Sequence, residues 1–354
     1  MRRPRLLAGP FVALLALGLM PPSAQATPTQ VITAAPTTVP SMAAARGSTV
    51  VRVATFNVRT ARATGDRRRW LKRAPDVARE ILSRNPGIVA LQELGPGRAD
   101  GRRGKVKGHL RQTTSLTKTL KRLGGGRYRL VRSTSYFPSG TKHGTQGTRI
   151  LYDSSRYALI TRCPETTRGR NYNRSCAFDL PIARGESLQH RRSAAYAEFR
   201  QRRSGKRFFV VSAHLDHRHS GNNRIEAKYN RLRARQAAAV ARKLNRINSS
   251  RRPVVFGGDI NSWQSDRSRH APRRALVARG YRDAAATSNR INHAYTTSNQ
   301  WRVRLQRSGR GVGPRLDLVL VKGGNGSRRY ENKMARVDRS RPSDHNMVVA
   351  DVVL

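Results

Sequence analysis

Asn57 follows VATF, Glu93 follows IVALQ, His214 follows FFVVSA, Asp259 and Asn261 follow VVFGG, and Asp344-His345 precede NMVVADVVL. Asp317 differs in lying inside its run, RLDLVLV. Each of these side chains alone has an ordinary explanation. An Asn at a strand end caps a turn, a His hydrogen-bonds a carbonyl, and an Asp in an arginine-rich chain finds an arginine. Together they make a different inventory: one Glu, two His, three Asp and two Asn at the ends of apolar segments. Carboxylate oxygens suit Mg²⁺, which keeps several waters and takes one or two carboxylates plus substrate phosphate. A bound cation offsets charge developing on a phosphate, and imidazoles can accept and donate protons near neutral pH. The set therefore points to metal-assisted hydrolysis of a phosphodiester, with Mg²⁺ as the expected ion and Mn²⁺ or Ca²⁺ as alternatives.

The elements that must position these residues are readable from hydrophobic pattern. VVRVATFN, IVALQ, YRLVRS, TRILYD, YALIT, AAYAEFR, FFVVSAH, PVVFGGD, RLDLVLV and MVVADVVL read as strands. Pro75 suits a first helical turn and predicts a helix to about Arg84, with Val77, Ala78, Ile81 and Leu82 on its apolar side. A short helix is expected from Ser115 to Leu123, and another over Pro272–Arg279. Asn223 and Glu226 resemble a capping box opening a long helix through Leu244. Strands outnumber helices, and hairpin neighbours mix with helical crossovers, so the fold class is α/β with packed sheets and helices outside.

The chain opens with Arg2, Arg3 and Arg5, an apolar run from Leu6 to Met20, and Ala24-Gln25-Ala26. This is the pattern of a secretory signal peptide over residues 1–26 and predicts a secreted, extracellular protein. Residues 27–49, rich in Thr, Pro, Ala and Ser, read as a disordered linker, leaving 50–354 as one catalytic-size domain. Cys163 and Cys176 are expected to form a disulfide in that setting. Seventy-one Lys and Arg against 20 Asp and Glu give a formal charge of +51. A field of this sign attracts polyanions, and arginine forks bind phosphate oxygens, which names a class of partner and no chemistry.

The pieces ATFNV, IVALQE, GTRILYDSSRY, VVSAHLDHR, VVFGGDINS, RLDLVLV and SDHNMVVADVVL, in that order from Val50 to Leu354, resemble the endonuclease/exonuclease/phosphatase superfamily, whose fold is that of deoxyribonuclease I. The resemblance implies a four-layer α/β sandwich, two packed mixed β-sheets flanked by helices, with the site at one edge. It makes Glu93 the main metal carboxylate with Asn57 beside it and Asp344 as a further metal contact. Asp259 would align the nucleophilic water and Asn261 would hold a phosphate oxygen. His345 would be the base, oriented by Asp317, and His214 a second imidazole for the leaving oxygen. The acid and base roles of the two histidines stay open, and Asp216 and His217 are set aside as structural.

The arginine-rich composition and the export signal favour nucleic acid, DNA foremost, as the substrate. RLDLVLV departs from the Trp-Cys-Asp-Arg pattern of the inositol phosphatases. A secreted phospholipid or small phosphoester hydrolase is the alternative enzyme, and a non-catalytic cationic binder of nucleic acid or cell envelope is the alternative of another class. In the loop Gly95–His109, Arg98, Arg102, Arg103, Lys105 and Lys107 are expected to clamp phosphates beside Glu93.

Overall fold

The structure, a computed structural model, describes residues 48–62, 68–136, 147–164, 176–187, 191–263, 270–334 and 341–354. The expected signal peptide and nearly all of the expected linker lie outside the described residues. Thr49, at the linker's end, exchanges two backbone hydrogen bonds with Leu354 and so belongs to the folded part.

Among the described residues, fourteen strands and four helices are numbered in chain order. The first sheet runs β11 (Arg290–Ile291), β13 (Ser327–Lys333), β14 (Met347–Val353), β1 (Val50–Asn57), β2 (Ile88–Gln92), β4 (Arg149–Asp153), β3 (Tyr128–Leu130). The second runs β10 (Arg282–Asp283), β12 (Asp317–Lys322), β9 (Val254–Asp259), β8 (Arg207–His214), β7 (Ser193–Gln201), β5 (Tyr157–Leu159), with β6 (Ala177–Asp179) also on β7. Both are mixed: β1 is parallel to β2 and antiparallel to β14, and β9 is parallel to β8 and antiparallel to β12. Helices α1 (Trp70–Arg84) and α2 (Gln112–Arg122) cover the outer face of the first sheet. Helices α3 (Asn223–Ile247) and α4 (Ala271–Val277) cover that of the second. The result is the α/β sandwich with two mixed sheets between helices.

The strand period of two determines which face each residue takes. Val51 and Val53 of β1, Ile88 of β2, Phe208 and Val210 of β8, Val255 of β9 and Val319 and Val321 of β12 form the core between the sheets. Continuing each strand by twos along that same face leads to Thr55 and Asn57, Gln92, Ser212 and His214, Gly257 and Asp259, and, on β12, Asp317. The inter-sheet layer is thus apolar at one end and polar at the other. Across the changeover Thr55 donates to Gln92 Oε1 (3.2 Å), Gln92 donates to Ser212 Oγ (3.1 Å), and Ser212 donates to the Leu91 carbonyl (2.8 Å). Gly257 lets the two sheets approach closely: a Cβ there would lie 2.6 Å from Ala90 Cβ and 3.4 Å from Thr55 Cβ.

Three local expectations shift. Helix α1 begins at Trp70, placing Pro75 inside it, because Trp70, Arg73 and Ala74 are also buried and extend the apolar stripe by a turn. Arg73 is held by the carbonyls of Val58, Arg59, Thr60, Arg68 and Pro342. Asn222, one residue before the expected cap, caps α3 by accepting from the amides of Arg224 and Ile225 (2.9 and 3.2 Å). Strand β13, SRRYENK, escaped the sequence pattern because its charges are absorbed by pairing, as where Arg84 donates to both oxygens of Glu331 (2.8–2.9 Å). Cys163 and Cys176 are joined in a disulfide.

Candidate active site

The polar end of the inter-sheet layer is the candidate site. Strand register sets His214 and Asp317 on either side of Asp259 in the second sheet. In the first sheet Asn57 is level with Gln92, one residue before Glu93. The turns that follow are tight: Arg59, Glu93 and Asn261 have left-handed backbones (φ 56°, 57° and 46°). For Arg and Glu this conformation costs roughly 1–2 kcal/mol each, and its clustering at one place marks the strand ends as a site where geometry was favoured over ease.

Asn57 stitches the sheets together, donating Nδ2 to Glu93 Oε1 (3.2 Å) and to Asp259 Oδ2 (3.0 Å). Its oxygen accepts from the Arg59 amide (3.0 Å), so the face it turns to the carboxylates is a donor. Glu93 accepts a further bond from the Thr60 amide (3.0 Å). The Arg59 guanidinium stands 3.6 Å from Glu93 and 3.5 Å from Asp344. On the other side, His345 Nδ1 donates to Asp317 Oδ2 (2.9 Å), while its Nε2 lies 3.8 Å from Asp259 Oδ2. His214 Nε2 is 3.6 Å from the same oxygen. Asp259 Oδ1 accepts from the Asn261 amide (3.0 Å), and Asn261 Nδ2 donates to the Leu215 carbonyl (3.2 Å).

These surroundings separate the protonation states. Burial would raise the Glu93 pKa, but His214, Arg59, the Thr60 amide and Asn57 outweigh it and hold the group near 2, so it is a carboxylate at neutral pH. His214 is held neutral, at about 4, by burial and by Arg192. Burial also opposes charge on His345, yet Asp317 and Asp259 overcome it and raise its pKa well above the usual imidazole value. Burial pushes Asp259 upward. Two imidazoles in one site are thereby driven in opposite directions, which is how neighbouring groups come to hold and to lack a proton at one pH.

The donor set fits a hard divalent cation. Glu93 and Asp344 turn oxygens toward one point from two segments, and a guanidinium already lies between them. Two carboxylates and water are the ordinary protein share of a Mg²⁺ shell. Asp259, Asp317 and His345 also offer ligand atoms within 4.8 Å of one another. There, however, Asp317 and His345 are spent on each other, which leaves the Glu93–Asp344 side as the better seat.

These groups open into a cleft of about 640 Å³, whose walls include Arg59, Arg62, Arg98, Arg102 and Arg192. Of the eight residues expected from sequence, Glu93, His214, Asp259, Asn261, Asp344 and His345 line the cleft, with Asn57 bonded beneath and Asp317 behind His345. Arg59, Arg192 and His217 were not anticipated. His217 faces the cleft and accepts at Nδ1 from buried Arg192, so its Nε2 carries the hydrogen, whereas Asp216 is tied up by Arg218 (2.7–3.1 Å). HLDH carried a signal for His217 in its second histidine; Arg192, in a run of basic residues, carried none. Of the five cations expected from the basic loop, Arg98 and Arg102 line the cleft and Arg103, Lys105 and Lys107 do not, and Arg98 is ion-paired with Asp100.

Comparison with known proteins agrees with this geometry. The model of the "Endonuclease/Exonuclease/phosphatase family" matches residues 54–345. No curated protein sequence matches. Among solved structures, an endonuclease/exonuclease/phosphatase from Bacteroides vulgatus is 20% identical, with a TM-score of 0.60 over 86% of this chain and 98% of that one. A mannosyl-6-phosphatase from Bacteroides thetaiotaomicron is 18% identical, with a TM-score of 0.60 over 86% and 100%. Truncated TDP2 from Caenorhabditis elegans is 18% identical, with a TM-score of 0.52 over 86% and 98%. At these identities the likeness is one of fold.

Proposed function

Because the chain belongs to the endonuclease/exonuclease/phosphatase family, whose members hydrolyse phosphoesters, we propose that it is a secreted, divalent-metal-dependent phosphodiesterase acting on nucleic acid, DNA foremost. The observation that carries the substrate class is the cleft wall: five arginines surround the carboxylates and histidines, in a chain of formal charge +51. A polyanion with phosphates on both sides of the scissile bond matches that wall better than a small phosphoester does. Export is supported by the signal-like N-terminus and the disulfide, and no described helix is long and apolar enough to cross a membrane.

In this reading Glu93 and Asp344 would hold Mg²⁺, with Mn²⁺ or Ca²⁺ as alternatives, and the ion would offset charge on the phosphate. Asp259, fixed by Asn57 and the Asn261 amide, aligns the attacking water and takes its proton. His345, whose proton Asp317 stabilises, donates to a non-bridging phosphate oxygen. Of the acid and base roles left open by the sequence, this reading gives His345 that of proton donor, since a resting imidazolium has no free lone pair to accept with. Asp259 and His345 lie 3.8 Å apart and so serve the same side of phosphorus. In-line displacement then places the leaving oxygen on the side of Glu93 and Asp344, where the cation they would hold would carry its charge until it takes a proton from water. His214, neutral and 3.6 Å from Asp259, keeps that carboxylate oriented.

The test is nicking of supercoiled plasmid by residues 27–354 with Mg²⁺, against EDTA and His345→Ala controls. Nicking that needs metal and is lost in the variant supports the reading. Plasmid that is retarded on the gel but stays intact, while a phosphomonoester or phospholipid is hydrolysed, replaces it with the alternative enzyme class.

A further inference from the structure

A second cavity, of about 220 Å³, adjoins the cleft and shares Trp263, Ser298 and Gln300 with it. Trp263 stands two residues beyond Asn261, is half-buried, and lines both cavities. The opposite wall is tied to the catalytic loop. Asn299 and Gln300 donate their amides to the Asp344 carbonyl (2.8 and 2.9 Å), and Ser298 pairs with His345. Asn299 Nδ2 reaches the Ser343 carbonyl (3.1 Å) and Asn346 Oδ1 (3.0 Å). Gln300 and Trp301 are both left-handed (φ 50° and 63°), a turn that brings Arg302 and Arg304 to the rim. Both arginines are exposed, no acid among the described residues lines the pocket, and the sequence has no Asp or Glu in 284–316.

An indole, two guanidinium groups without an acidic partner among the described residues, and a glutamine amide are what a nucleotide requires. The base has a face to stack on the indole, its edge offers partners to the amide, and its phosphate meets the arginines. A sugar phosphate or an inorganic anion would use the arginines and leave the indole idle. We propose that this pocket is a nucleotide subsite in which Trp263 stacks the base flanking the scissile phosphate and Arg302 and Arg304 take the adjoining phosphate. The proposal rests on the nuclease reading, because it names part of that substrate.

The experiment compares two short oligonucleotides, one with all bases and one with the bases flanking the cut replaced by abasic sugars. Wild type should favour the base-bearing substrate in kcat/KM by about 5- to 150-fold, the range that stacking on an aromatic side chain supplies. Trp263→Ala should erase that ratio and Trp263→Phe should keep most of it, which separates stacking from a general loss of fold. In parallel, equilibrium binding of dAMP is compared with deoxyribose 5-phosphate for the same three proteins, and the same ratio should vanish only in the alanine variant. Cleavage with an unchanged base-to-abasic ratio in Trp263→Ala overturns the subsite and leaves the nuclease reading standing. If neither oligonucleotide is cut, yet the dAMP preference depends on Trp263, the nuclease reading fails and takes the flanking-base assignment with it, while stacking of a nucleotide base on Trp263 stands. If dAMP and deoxyribose 5-phosphate bind wild type alike, the subsite is overturned.

Discussion

Gly257 is the point at which the two sheets can be pushed apart, and Gly257→Ala should damage stability and site together. The added methyl would sit 2.6 Å from Ala90 Cβ, and ordinary contact begins at 3.4 Å, so the sheets must part locally by about 0.8 Å. The bond from Asn57 to Asp259, now 3.0 Å, spans the same gap one step further along; parted equally, it opens to about 3.8 Å, beyond hydrogen-bond range. Overpacking of this kind costs about 1–3 kcal/mol, and loss of a hydrogen bond to a buried charged acceptor about 1.5–3 kcal/mol. Denaturant unfolding should show a lower midpoint at unchanged m-value, with hydrolysis falling in parallel. Ala90→Gly in the same chain removes the opposing methyl, leaves only the ordinary contact with Thr55, and should recover most of both losses. A Gly257→Ala protein within 0.5 kcal/mol of wild type, or a double variant no better than the single, would refute the claim that the sheet spacing positions the site.

Buried His270 has a pKa held down to about 3 by burial, Arg315 and Arg273. The unfolded chain takes up its proton near 6.5 and the folded chain refuses it, so this contribution to stability is complete above pH 6.5 and is lost as pH falls toward 3. Between pH 6.5 and 5, wild type should lose about 2 kcal/mol more than His270→Phe in chemical unfolding, at 1.4 kcal/mol per unit. Neutralising Arg98, Arg102, Arg103, Lys105 and Lys107 together should lower the log K against log salt slope for DNA by no more than about 4.5, each phosphate contact being worth about 0.9. Because Arg98 is held by Asp100, Arg98→Ala alone should change the slope less than Arg102→Ala. Cys163→Ser with Cys176→Ser should cost about 3 kcal/mol, the loop-entropy value for a link of thirteen residues, measured by thermal or urea unfolding.

Much of this molecule is legible before any coordinates, for a physical reason. Buried strands of a layered fold are continuous apolar runs, and the first polar residue after such a run lies at the edge of the layer. That is why Asn57, Glu93, His214 and Asp259 stood out as candidates by position, while their roles came only with the family resemblance. What stayed hidden depends on contacts distant in sequence. Arg192 is one cation among 71 Lys and Arg until β7 and β8 set it beside His217. Strand β13 looks like a solvated charged stretch until Arg84, from another layer, neutralises Glu331. Pro75 signals a helix start locally, yet the buried flank of Trp70 and Arg73 carries the helix back a turn. The left-handed backbone at Glu93 has no sequence mark, since Glu is a residue that ordinarily avoids it.

In a chain with so many cations, the useful distinction among its acids is which partners they are given. Asp351 takes the Arg52 fork at 2.7 and 2.9 Å, Asp283 takes that of Arg315 at 3.0 and 2.8 Å, and Glu198 that of Arg207 at 2.8 and 3.0 Å. Such paired acids are neutralised and committed to holding strands together. Asp259 and Asp317, equally buried, take no arginine among the described residues, and the partners of their carboxylates are Asn57, the Asn261 amide and the histidines. Glu93 and Asp344 meet Arg59 only at 3.5–3.6 Å, a spacing at which the guanidinium balances charge without occupying either carboxylate as a fork. Keeping four carboxylates out of arginine forks in so basic an interior leaves their charge available for a cation, a water or a phosphate. If that availability is what the site requires, Arg59→Met should raise affinity for Mn²⁺ in the absence of substrate, measured calorimetrically, by removing a competitor for the same oxygens. A fall in affinity would mean instead that Arg59 holds Glu93 and Asp344 in the geometry the metal needs.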